Sequence, residues 1–121
     1  MTIDDTSPTG LWQAAGDGRF RLEADAAREC AAHYGWIAEE LTARIGEARE
    51  LNRLSGFGGF DSAQQLQGGF EGKAQQAVDA LTGARQTCRE LQAAVLRAGG
   101  LLAEQDLTTA AAMIHHAEKV S

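Results

Sequence analysis

Ser55-Gly56-Phe57-Gly58-Gly59-Phe60-Asp61 places three glycines within four positions. Each glycine costs a helix interior about 1 kcal/mol relative to alanine, so the segment reads as a turn. On its C-terminal side Phe70, Ala74, Ala77, Leu81, Ala84, Cys88, Leu91, Val95, Ala98 and Leu102 recur at alternating steps of four and three. That rhythm is the apolar seam of a coiled coil. On its N-terminal side Ala27, Cys30, Tyr34, Ile37, Leu41, Ala48 and Leu51 keep nearly the same spacing, with Arg44 as the polar interruption. A turn centred on Gly59 pairs Ala27 with Leu91, Cys30 with Cys88, Ile37 with Leu81 and Ala48 with Phe70. Heptads define such a register only up to shifts of one repeat. The expected fold is all-α, an antiparallel two-helix hairpin.

Three regions follow. Residues 1–18 are rich in Thr, Asp, Gly and Ser without a period, and read as a flexible tail in which Leu11-Trp12 is the one apolar spot, a stray aromatic in preference to the alternative of docking onto the hairpin or a partner. Residues 19–100 form the hairpin, with its turn at 55–69. The first helix is expected to start between Phe20 and Ala24 and to end near Leu54. Ser62 followed by Gln65 fits a capping box for the second helix. Gly68-Gly69 then interrupts, so that the continuous helix is expected from Phe70. Residues 101–121 form a C-terminal helical extension and tail. There Ala103, Leu107, Ala110, Ile114 and Ala117 are amphipathic but one residue out of register with the seam, which implies a bend at Gly99-Gly100.

Composition narrows the function. The net charge of −6 lacks the basic face that nucleic acid requires and disfavours an anionic membrane surface. No apolar run reaches the roughly 18 residues of a membrane span, so no stable membrane insertion is expected. The acidic N-terminus has no basic-then-apolar signal segment. The protein is therefore expected either in the cytoplasm or outside the cell by a route without a cleaved signal peptide.

Catalytic patterns are missing. No nucleophile elbow, paired-cysteine motif or zinc-protease helix occurs, and no lysine follows the glycines as in a phosphate loop. His115-His116 point about 100° apart on a helix and need a third ligand to hold a metal. His33 has Glu29 one turn before it, which suits a surface hydrogen bond. The alternating Glu39, Glu40, Arg44, Glu47, Arg49, Glu50 and Arg53 read as a solvated face. No enzyme activity, cofactor or metal is expected.

Two features point to a protein partner. A lone hairpin cannot close a core. Small residues also line the seam on both helices: Ala31, Ala38 and Ile45 on the first, Ala80, Thr87, Ala94 and Leu101 on the second. With Trp36 just off the seam, Ala80, Ala94 and Leu101 form the expected partner surface. The same register sets Cys30 against Cys88. In an oxidising exterior these could form a disulfide; in a reducing compartment they would pack as thiols.

The hairpin, the aromatic-glycine turn, the acidic charge and the stretch Phe60-Asp61-Ser62-Ala63-Gln64-Gln65-Leu66-Gln67-Gly68-Gly69-Phe70-Glu71-Gly72-Lys73-Ala74 resemble the WXG-type, early secreted antigenic target-like proteins of type VII secretion, in their divergent secretion-associated branch. The resemblance covers residues 20–117. Phe57-Gly58-Gly59 stands at the family's Trp-Xaa-Gly, making Phe57 and Gly59 the turn motif. The family's export signal is a tyrosine followed four residues later by an acid, and here Leu102 and Asp106 occupy those places, without the tyrosine. The resemblance implies export without a cleaved signal peptide, a helical-hairpin partner or a homodimer forming a four-helix bundle, and contact with the secretion machinery. The alternative is a cytosolic helical adaptor or chaperone for a larger exported protein.

Overall fold

The computed structural model describes residues 7–51, 61–103, 106 and 110–114. Three helices, Pro8–Gly16 (α1), Ala24–Leu51 (α2) and Asp61–Ala98 (α3), make the chain all-α, and the described residues contain no strand. Asp106 and residues 110–114 are also helical. The Phe57–Gly59 turn motif and His115-His116 lie outside the described residues.

α1 replaces part of the expected tail, and its local signals are complete. The Ser7 hydroxyl accepts a hydrogen bond of 3.0 Å from the Gly10 N–H, and Pro8 takes the first helical position. Serine as cap and proline immediately after it are the preferred start of a helix. Gly18, at φ +76°, ends it: its N–H donates to Ala15 and that of Arg19 to Ala14, a Schellman motif.

α3 closes the same way. The N–H of Gly100, at φ +67°, donates to Arg97, and that of Leu101 donates to Leu96. The bend expected at Gly99-Gly100 is therefore a glycine C-cap. At its other end α3 runs without a break through Gly68, Gly69 and Gly72. The interruption expected at Gly68-Gly69 is absent, and Ser62 lies inside the first turn rather than at the cap. Side-chain links one turn apart, from Gln67 to Glu71 at 3.1 Å and from Gln75 to Asp79 at 2.9 Å, accompany this glycine-rich segment.

The chain divides into two compact units. The first comprises Met1–Ile37 and Gln86–Ser121, the second Ala38–Arg85. In the first unit Trp12, Ala93, Ala94, Ala110 and Ile114 form the core, with Leu11, Leu102 and Met113 packed against it. In the second, Ile45 and Ala48 of α2 pack with Val78 of α3, and Leu81 lies against them.

Within each unit the contacts differ from the register expected from a turn at Gly59. The Gln92 amide donates to the Ala31 carbonyl at 3.0 Å, although the adjacent Cys30 was expected beside Cys88. A methyl group on Gly99 would overlap that of Ala27, which was expected beside Leu91. In the second unit Arg85 donates to the Thr42 hydroxyl at 3.1 Å, and Ile45 and Ala48 pack with Val78, although Ala48 was expected beside Phe70. α3 is displaced by about one heptad, the ambiguity that a heptad pattern leaves open. The buried line of α2 runs through Ala27, Ala31, Ala38, Ile45 and Ala48, while Cys30, Ile37 and Leu51 are exposed. The expected edge of the seam is thus its centre.

Candidate partner-binding surfaces

α1 is held on the first unit by one side chain above the others. Trp12 is only 7% exposed and contributes the largest ring to a core otherwise built from alanine, Ile114 and a few partly buried neighbours. The Arg97 guanidinium lies over this ring, 4.2 Å from its centroid, and donates to the Trp12 carbonyl at 3.1 Å. Tryptophan is the best ring for a side-chain cation–π contact, and arginine the more frequent cation over it. The guanidinium needs the space that Gly16 leaves free, since a Cβ there would come within 2.6 Å of it. Next to this clasp Thr9, Gln13, Asp17, Ala111 and Ile114 line an open groove of about 580 Å³.

The segment joining α1 to α2 is bonded back to α1 by the Arg19 and Phe20 N–H groups, which donate to the Ala14 carbonyl, and to α3 by the Leu22 N–H, which donates to the Ala98 carbonyl at 3.0 Å. The last of these satisfies a carbonyl in the last turn of α3 that would otherwise lack a helical partner. Leu11-Trp12 was singled out from the sequence only as the apolar spot of a flexible tail, and Arg97 was not singled out. The signal was present in Ser7-Pro8 and in Gly18, a helix start and a helix stop at suitable spacing. The Thr, Asp and Gly content around them masked it.

The residues expected to meet a partner divide. Trp36 is 62% exposed and lies with Glu29, Ala32 and His33 along a shallow groove on α2. Ala80 is exposed as well. Ala94 is fully buried beneath α1 and residues 110–114, so it is removed from the partner surface. Leu101 is half-buried and belongs to the C-cap of α3. Ala31, Ala38 and Ile45 are likewise consumed by packing within the chain. Large apolar side chains remain exposed in the second unit too, at Leu51 and Leu66.

Leu102 is half-buried against the core of the first unit and is not helical, whereas Asp106 is exposed and helical. The two therefore do not share a helical face, but both line a groove with Arg89, Leu96 and Met113. Cys30 is exposed and Cys88 half-buried, and both are free thiols. The neighbouring contacts, Ala27 with Gly99 and Ala31 with Gln92, place a later turn of α3 than Cys88 opposite Cys30. Among the described residues no cluster of His, Cys, Asp or Glu could hold a metal ion, and no helix is long and apolar enough to cross a membrane. Comparison with known protein families, curated proteins and solved structures finds no match to this chain.

Proposed function

We propose that the chain is a non-enzymatic helical protein of type VII secretion, either a substrate or a secretion-associated component. It acts by pairing a helix face with another helical protein. In this reading α2 and α3 form one antiparallel hairpin, and two hairpins, from a partner or a second copy, build a four-helix bundle. The observation that carries the pairing is the exposure of Trp36, beside the small side chain of Ala32, on a helix whose opposite face is already packed. A tryptophan in water on one face of a helix is a large apolar surface that an interface would bury. The secretion context comes from the resemblance at residues 57–74, with Asp106 as the exposed acidic residue of the export signal.

The protein should leave a cell that carries the secretion machinery, and Asp106→Ala should lower its level in the medium without altering helicity. Deleting residues 99–121 is the poorer test, because Ala110 and Ile114 belong to the core. Full retention in the cell, with a co-expressed hairpin bound, would favour the cytosolic adaptor instead. Two free thiols suit that compartment. A chain that stays inside and binds no helical protein would contradict both.

A further inference from the structure

The shallow groove on α2 holds an indole and a carboxylate, and no cation. Glu29, Ala32, His33 and Trp36 line about 480 Å³ of open space. Glu29 and Trp36 stand seven residues apart, close to two helical turns, so they share one side of the helix. Both are exposed. Arg28, the nearest arginine on α2, is committed to Asp25 at 2.8 Å. Among the described residues nothing pairs with Glu29, and the hydrogen bond expected between Glu29 and His33 does not form. With histidine neutral at pH 7 the groove is acidic, in a chain of net charge −6.

A helix that covers Trp36 also takes water away from Glu29. A carboxylate removed from water without a counter-charge is costly, so whatever buries the indole must also bring a cation. The indole face is itself the best aromatic acceptor for one. The chain already joins two of its own elements in this way, with the Arg97 guanidinium of α3 over the Trp12 ring of α1. A second copy does not answer the need, because a two-fold interface sets a patch against itself, here two carboxylates and two indoles. We propose that the groove is the binding site for an arginine or lysine on a helix of a different protein, whose cation lies over Trp36 and pairs with Glu29. The proposal rests on the reading that the Trp36 face pairs with another helix, and it names the chemistry that this face selects.

Synthetic amphipathic peptides of about 20 residues, above the length at which isolated helices are marginal, test it on the full chain. One carries arginines beside its apolar seam, and its twin carries glutamines at the same places. Binding is followed by the two indole N–H signals in NMR. Trp36→Phe identifies the signal of Trp36, and that of Trp12 reports that the first unit is folded. The arginine peptide should move the Trp36 signal and bind at least severalfold more tightly than its twin. Glu29→Gln should erase most of that preference while leaving the affinity of the twin unchanged. Glu23→Gln, which removes an exposed acid outside the groove, should keep the preference. Equal affinity of the two peptides at Trp36, or an equal loss of preference from Glu23→Gln and Glu29→Gln, would overturn the proposal and leave helix pairing standing. Movement of the Trp36 signal on concentrating the chain alone would overturn it in favour of a second copy. Failure of both peptides to move Trp36 would overturn it together with pairing through that face.

Discussion

The two units use similar helical segments to different ends. In the first, α1 and residues 110–114 pack on α3, and a tryptophan is almost wholly buried among them. Its glycines mark close approaches: Gly99 faces Ala27, Gly16 faces Arg97, and Gly35 faces the Gln92 amide. In the second, the buried side chains are Ala38, Ile45, Ala48, Ala74 and Val78, of which Ile45 is the largest fully buried one. A Cβ on Gly46, Gly68, Gly69 or Gly72 would meet open space. The same residue type thus permits packing in one unit, while in the other it weakens a helix with no contact in return. Exposed Leu51 and Leu66 belong to that second unit. The difference places the tighter packing in the first unit, while exposed apolar side chains occur in both, at Trp36 in the first and at Leu51 and Leu66 in the second.

Trp12→Ala should have the largest effect on this contrast. Emptying a buried aromatic site costs about 3–5 kcal/mol, and thermal unfolding followed by circular dichroism should show a correspondingly lower midpoint. Gly99→Ala should follow, at about 2 kcal/mol, since the added methyl overlaps Ala27 in a packed contact. Ser7→Ala removes the cap of α1 and should cost about 1 kcal/mol in urea unfolding. In the second unit the sign should reverse: Gly72→Ala should raise stability by about 0.8 kcal/mol, the helix propensity gained in open space. Should a partner need that space, the same substitution would lower its affinity in a titration. Trp36→Ala should change stability by less than about 0.5 kcal/mol, as an exposed site does. It should nevertheless weaken partner binding severalfold.

Periodicity made the two long helices legible, with α2 starting at the expected edge and α3 ending at the expected glycines. Register was not legible, because a heptad repeat looks the same after a shift of one heptad. The Gly68-Gly69 break was expected from propensity, yet the helix continues through both residues, as context can override a cost of about 1 kcal/mol per glycine. α1 was hidden for the opposite reason. Its local signals were sound, but a nine-residue helix shows too few apolar positions to establish a period. The exposure of Trp36 was legible, since it lies off every seam. The expected partner surface was misplaced at Ala94, whose small side chain serves contacts within the chain.

Amide hydrogen exchange, read residue by residue on the free protein, compares the two units most directly. Slow exchange tied to global unfolding is expected for the α3 amides from Leu91 to Ala98 and for the N–H of Leu22. Faster exchange by local opening is expected for α3 from Ser62 to Lys73, where glycines face open space. Uniform protection along α3, or rapid exchange of Leu22 and the last turns of α3 before the rest, would contradict this division.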